Sequence, residues 1–372
     1  MPIYMDRHDI PESVTAENVA QLHQQDLRIQ HHFNCKALTY WYDENRKTAF
    51  CLIDAPDKKS VLEMHNQAHG QVPNSIIEVD PIIVESFLGR INDPEKGKHE
   101  ALNLINNSAF RIIMVIQLSR NGFVADQNDF KNISLNNFRK SLLKLLLKYE
   151  GSLVKQNETY FLISFNNAAN AVNAAFKIQD SFSKVIYQSK NEIGIKIGLS
   201  AGVPLTDKKS LFESAIQFAE RMCNTINGEI VIASAVNDLY NSTTSKAPIK
   251  NKKVFPLTKA DEDFLNRLID YMEANSANPI MLVNDLCKAI GYSKSGLYRR
   301  LNFLTAQSPN RFINEFRLNK ALILLERNEN NITEVAYQTG FSSPSYFSKC
   351  FKNRFKILPS TVSRLKKDAA ID

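Results

Sequence analysis

Four residues near the front of the chain have the types and spacing of a metal site. His65 and His69 stand four apart, and His23 and Asp26 three apart, in segments whose apolar residues recur at helical spacing. Each pair therefore projects from one helix face. If the two helices pack side by side, the four side chains converge on one cation, and imidazole ligands suit Ni²⁺, Zn²⁺ or another divalent transition metal. The same HxxxH spacing also occurs on solvated helix surfaces. All seven histidines lie in the first hundred residues. The five cysteines (Cys35, Cys51, Cys223, Cys287, Cys350) are odd in number and form no CxxC pair. That usage suits a reducing cytosol and excludes a cysteine-rich zinc cage; each thiol reads as a small buried apolar residue rather than a redox centre.

A second constellation lies at the other end. Val283 to Ile290 has the apolar spacing of a short helix, Gly291 supplies a turn, and Ser293 caps a second helix that runs to Leu301. Lys294, Ser295, Tyr298 and Arg299 then face outward. Ile332 to Phe341 repeats the arrangement: Gly340 makes the turn and Ser343 caps a helix with Pro344 in its first turn, where no backbone N–H is lost. Ser345 and Lys349 face outward there. Both are helix-turn-helix spacings. One long helix, Pro309 to Leu325, separates them, and units facing the same way would enter successive major grooves about 34 Å apart. The alternative is a helical bundle for protein contacts whose charges form a solvated face.

The elements that position these residues divide the chain. Residues 1–80 read strand, helix, strand, strand, helix, strand, a ferredoxin-like βαββαβ order, with Thr15 and Asp57 opening the helices. A connector spans 81–108. Residues 109–240 alternate strands and helices as a mixed α/β sandwich. A polar, basic linker occupies 241–260, and 261–366 is all helical. The fold class is α+β multidomain, which suits 372 residues with 44% apolar content. The charged N-terminus lacks the apolar run of a signal peptide, and the longest apolar stretch, Leu142 to Leu147, is broken by Lys144. The expectation is a soluble, cytoplasmic protein with no membrane partner. Net charge is −6 over residues 1–100, +8 over 101–255 and +5 over 256–372. The rear thus suits a polyanion and the front does not.

Three resemblances sharpen this. GYSKSGLYRRLNFLTAQSPNRFINEFRLNKALILL and ITEVAYQTGFSSPSYFSKCFKNRFKILPS resemble the C-terminal domain of the AraC/XylS family over roughly residues 260–366. The resemblance implies double-stranded DNA as partner, with RNA polymerase a further candidate. It puts Ser295, Tyr298 and Arg299 at base-reading positions of the first unit, and Pro344, Ser345 and Lys349 at those of the second. Two turn glycines of the family are replaced by Ala306 and Lys356, for which small local adjustments are expected.

FRIIMVIQLS, GSLVKQNETYFLISF and AIQFAERMCNTINGEIVIAS resemble the class III nucleotide cyclase homology domain over residues 109–240. Gln117 and Thr159 stand where that family has two metal-binding aspartates, with Glu158 in place of a glycine. Gln217 replaces its asparagine, and Arg221 matches its arginine. No cyclase activity is expected without the carboxylate pair. The resemblance implies a dimerising domain, hence a homodimer. Arg221 is a candidate contact for a phosphate or carboxylate ligand, or equally a buried or salt-bridged helix arginine. VAQLHQQDL and the CLIDAPDKKSVLEMHNQAHG run are similar to a small bacterial family with nickel-binding members. That similarity implies His23, Asp26, His65 and His69 as the metal positions.

Together these imply a homodimeric transcription regulator that is not an enzyme, with ligand or metal control at the front. The alternatives are a residual cyclase or nucleotide-binding sensor tethered to DNA, and a metal-binding protein.

Overall fold

A computed structural model describes residues 1–95, 102–105, 107–120, 133–189, 193–206, 210–243, 254–327 and 331–368. The front unit comprises β1 (Ile3–Asp9), α1 (Ala16–Ile29), β2 (Lys36–Asp43), β3 (Thr48–Asp54), α2 (Lys58–Ala68) and β4 (Ser75–Val79). Thr15 and Asn18 cap α1 reciprocally, and Asp57 caps α2 through the Ser60 N–H. Helix α1 stops at Ile29, and a 3₁₀ turn over Gln30–Phe33 follows, ended by Asn34 at φ 52°. The strand order β2-β3-β1-β4, antiparallel throughout, is the expected ferredoxin-like sheet.

Side chains alternate across this sheet and both faces are covered. Tyr4 and Ile53 pack under the helices with Val61 and Met64. Met5, Trp41, Phe50 and Leu52 point the other way, into a core shared with the rest of the chain.

The connector opens with α3 (Pro81–Leu88), capped by Asp80 and ended by Gly89. Arg111, fully buried, donates to the Phe87 and Leu88 carbonyls at 2.9 and 3.2 Å. A cation at the helix C-terminus suits the dipole there.

The middle unit comprises β5 (Arg111–Arg120), α4 (Ile133–Lys148), β6 (Gly151–Gln156), β7 (Tyr160–Phe165), α5 (Ala168–Ser189), β8 (Ile193–Gly202), α6 (Glu213–Thr225), β9 (Ile230–Ile232), α7 (Ser234–Thr243) and β10 (Val254–Pro256). Its sheet runs β10-β9-β8-β5-β7-β6, with β5 antiparallel to both neighbours and β8, β9 and β10 mutually parallel. Two features differ from the expected linker at 241–260. Helix α7 continues to Thr243, and β10 joins the sheet edge; residues 244–253 lie outside the described residues.

The rear unit comprises α8 (Lys259–Asn275), α9 (Val283–Ile290), α10 (Lys294–Thr305), α11 (Pro309–Arg327), α12 (Ile332–Gln338), α13 (Pro344–Phe355) and α14 (Pro359–Asp368). Its two halves have separate cores. Leu286, Ile290, Leu297, Leu301 and Leu304 belong to the apolar cluster that fills the middle unit. Leu318, Leu325, Val335, Phe347, Phe351 and Phe355 form a cluster of their own. Polar contacts also join middle to rear: Asn227 N–H donates to the Leu304 carbonyl at 2.8 Å, and Ser234 donates to Glu262 at 2.9 Å through its hydroxyl. Among the described residues, no helix is long and apolar enough to cross a membrane.

Candidate functional site

Helices α10 and α13 are built alike. Gly291, at φ 73°, ends α9 in the left-handed conformation, and the Ser293 hydroxyl accepts the Gly296 N–H at 3.1 Å. The Ser343 hydroxyl accepts the Tyr346 N–H at 3.3 Å, and Pro344 occupies the first turn. Leu297 and Leu301 hold α10 to its core; Phe347, Phe351 and Phe355 pack edge-on or tilted in succession to hold α13. Lys294, Ser295, Tyr298 and Arg299 are exposed on α10, and Ser345 and Lys349 on α13, with Pro344 half-buried. Every residue expected to face outward from these two helices does so.

The turns also show what became of the two missing glycines. Ala306 and Lys356 end α10 and α13 at φ 56° and 64°, so both keep the left-handed geometry without a glycine. Gly340 has no such latitude. At φ 81° it packs so tightly that an added Cβ would overlap the Ser276 carbonyl oxygen. That oxygen also accepts from Arg317 Nε at 3.0 Å, which ties α11 to the end of α8.

At the front, α1 and α2 do pack side by side, but they gather a different set of donors. Asp26, His65 and His69 come together: His65 Nδ1 lies 3.2 Å from Asp26 Oδ1, and His69 Nε2 lies 3.3 Å from the same oxygen. His23 does not join them, because Asp93 of the connector takes its Nε2 at 3.0 Å. The sheet below supplies three donors that helix spacing could not reveal. Asp6, His8 and Cys51 form a second group around the same His65, whose Nε2 is 2.9 Å from Asp6 Oδ2. The pairing of Asp6 with Cys51 across β1 and β3 brings them under α2. The sequence signal was the alternation in β1, which places Asp6 and His8 on the face of buried Tyr4.

Burial opposes the charge on these groups, and their mutual attraction outweighs it. Burial would raise Asp6, but His8 and His65 hold its carboxyl well below the usual range. Burial would lower His65, yet Asp6 and Asp26 push it up to about 10. Burial also raises Asp26, and hydrogen bonds from His65 and His69 reverse it. A 320 Å³ cavity opens over the cluster, with His8, His23, Asp26, Cys51, His65 and His69 in its wall. His8 Nε2 pairs with Asp6 Oδ1 at 3.3 Å but outside hydrogen-bonding geometry, so this buried nitrogen has no hydrogen-bond partner. Imidazole, carboxylate and thiol donors with one unsatisfied nitrogen fit a borderline divalent cation such as Ni²⁺ or Zn²⁺.

In the middle unit Gln117 and Thr159 lie on and beside the strand pair β5–β7, and neither brings a carboxylate. Arg221, on α6, is fully engaged by α8: its guanidinium meets Asn266 at 3.0 Å, Asp270 at 2.6 Å and Glu273 at 3.2 Å. Of the two readings open for Arg221, this geometry is the salt-bridged helix arginine. Gln217 donates to Glu213 one turn earlier on the same helix.

Comparison with known proteins follows this division. Residues 286–364 match the family described as a helix-turn-helix domain, and residues 4–79 the family described as nickel responsive protein SCO4226-like. The chain is 38% identical to histidine kinase P4 of Formosa agariphila over 129 residues, which are 33% of this chain and 9% of that protein. It is 30% identical to the uncharacterized HTH-type transcriptional regulator YdeC of Bacillus subtilis over 101 residues, 27% of this chain and 34% of that protein. The crystal structure of SCO4226 from Streptomyces coelicolor A3(2) is 30% identical, covers 21% of this chain and 94% of its own, and gives a TM-score of 0.20. The chain thus spans under a tenth and about a third of the lengths of these two curated relatives. Residues 286–364 are thus a helix-turn-helix domain of the AraC type, and residues 4–79 are similar to the SCO4226-like family.

Proposed function

We propose that this protein is a sequence-specific transcription regulator that reads double-stranded DNA through α10 and α13. One observation carries the reading: two capped helices, anchored on their apolar sides and joined by the continuous helix α11, both turn small polar and cationic side chains to solvent. Lys294, Ser295, Tyr298 and Arg299 would meet one major groove and Pro344, Ser345 and Lys349 the next, with Arg299 suited to paired acceptors on guanine. The relative named as an HTH-type transcriptional regulator supports this reading.

The other domains are assigned by what they contain. Residues 1–80 sense a divalent cation or small ligand at the His65 cluster, where Asp6, Asp26, His8 and His69 would hold it. Residues 81–108 connect, residues 109–240 relay the signal and join two subunits, and residues 241–260 lead to the DNA-binding domain at 261–366. The protein works in the cytoplasm as a homodimer, with RNA polymerase as a downstream partner. It is no enzyme: Gln117 and Thr159 give a metal-activated nucleotide nothing to bind.

Footprinting the full chain on the DNA upstream of its own gene tests this. Protection of two segments one helical turn apart is expected; uniform cleavage at every protein concentration would refute it.

A further inference from the structure

Where the rear unit docks on the middle unit it leaves a cavity of 730 Å³, within the range of small-molecule sites. Four cations and two carboxylates line it. Arg221 is paired with Glu273, and Arg354 of α13 with Glu315 of α11, so both arginines are neutralised within the wall. Two lysines are not. Lys196 of β8 gives its ammonium to the Ile226 and Gly228 carbonyls at 3.2 and 2.8 Å, and Lys320 of α11 reaches the Ser276 hydroxyl at 3.3 Å. Neither is ion-paired among the described residues. Burial holds the Lys196 ammonium below the usual lysine range. Both ammonium groups hydrogen-bond only neutral oxygens, and Glu229 acts on Lys196 from beyond ion-pair distance, so their charge is only partly compensated. The Gln307 side-chain oxygen is also buried without a hydrogen-bond partner, and the Phe312 and Phe316 rings, 6.4 Å apart and tilted by 41°, give the wall an aromatic stretch.

We propose that this cavity binds a small phosphate monoester with a flat ring, its dianion held between Lys196 and Lys320 and its ring against Phe312 and Phe316. Two ammonium groups from different domains, neither with an ion-pair partner among the described residues, match a doubly charged anion, and charge-assisted hydrogen bonds to phosphate are among the stronger polar contacts. The ligand touches both domains at once, so it favours their docked arrangement over any in which they separate. Through α11 and α13 the same contact bears on the spacing of the two DNA-reading helices. This regulatory half rests on the DNA-binding reading above, whereas the binding half does not.

Isothermal titration of the full chain with AMP, GMP and inorganic phosphate tests binding without DNA. One of the nucleotides is expected to bind, with free phosphate much weaker. Lys196→Gln and Lys320→Gln should each weaken binding about tenfold or more. Lys320 is half-exposed, so its variant stands if the more buried Lys196 variant unfolds, and melting curves without ligand show which has happened. No heat from any probe at millimolar concentration overturns the proposal. So does unchanged affinity in a folded Lys320→Gln, and phosphate binding as tightly as the nucleotides removes the ring. Repeating duplex binding with and without the nucleotide reads the regulatory half: a shift in wild type that Lys320→Gln lacks supports it, and equal affinities contradict it.

Discussion

Arg221 Nη2 of α6 lies 2.6 Å from Asp270 Oδ1 of α8, so the middle unit clasps the first helix of the rear unit. The same guanidinium meets Glu273 and Asn266, which makes it an ion-paired link between middle and rear.

Arg221→Ala should therefore loosen the docking without changing any catalysis. Asp270 and Glu273 are more than half exposed, so solvent screens the pairs and the loss of stability should be about 1 kcal/mol or less. Urea denaturation reads this, and a loss above about 3 kcal/mol would contradict it. Incubation of wild type with ATP or GTP and Mn²⁺ should yield no cyclic nucleotide.

The helix ends give a pair of opposite effects. Gly340→Ala puts a Cβ into the Ser276 carbonyl at a positive φ and should cost roughly 3 kcal/mol or more. Ala306→Gly and Lys356→Gly relieve left-handed strain and should each stabilise by about 0.5–1 kcal/mol, the unfolded chain's extra freedom offsetting part of the gain. Thermal melting compares all three. A neutral Gly340→Ala would mean that the packing at Ser276 is looser than described.

His65 sets a pH window for the front domain. Its folded value near 10 lies above the ordinary value of 6.5, so the folded state holds the proton more tightly. That stabilisation is whole below about pH 6.5, fades as pH rises and is gone above about 10. Asp6 and Asp26 are lowered instead, so their contribution is present near neutrality and lost as pH falls below the ordinary carboxylate range. In chelator, the urea midpoint should fall between pH 6.5 and 9.5 in wild type, and His65→Gln should flatten that slope. An equal slope in the variant would put the titration elsewhere.

The same cluster should retain metal. Dialysis of the full chain against Ni²⁺, followed by elemental analysis, should leave bound nickel in wild type and less in His69→Ala and His8→Ala. Losing a ligand lowers affinity by about tenfold or more, as even outer-shell losses do. Zero retained nickel, together with an unaltered melting temperature, would remove the metal from the account.

Local signals carried most of the fold. Thr15 with Asn18, Asp57, Ser293 and Ser343 all cap the helices their spacing announced, since a cap is chemistry between neighbours in sequence. The parts that sequence spacing could not show depend on distant partners. Asp6 becomes a candidate ligand through its register with Cys51, and His23 is drawn off by Asp93, seventy residues away. The strand β10 has three residues and exists because the β9 edge is there to pair with. Arg221 was legible as either a ligand contact or an ion pair, and only the docking of α8 decides its geometry.

Selection from random duplexes with the full chain tests most directly whether α10 and α13 read DNA. Wild type should enrich a bipartite sequence with elements about one helical turn apart, bound with steep salt dependence. Arg299→Ala should weaken binding by about 1–3 kcal/mol and blur base choice in one element alone. A pool that stays random after selection, with no salt-sensitive binding, would contradict the account.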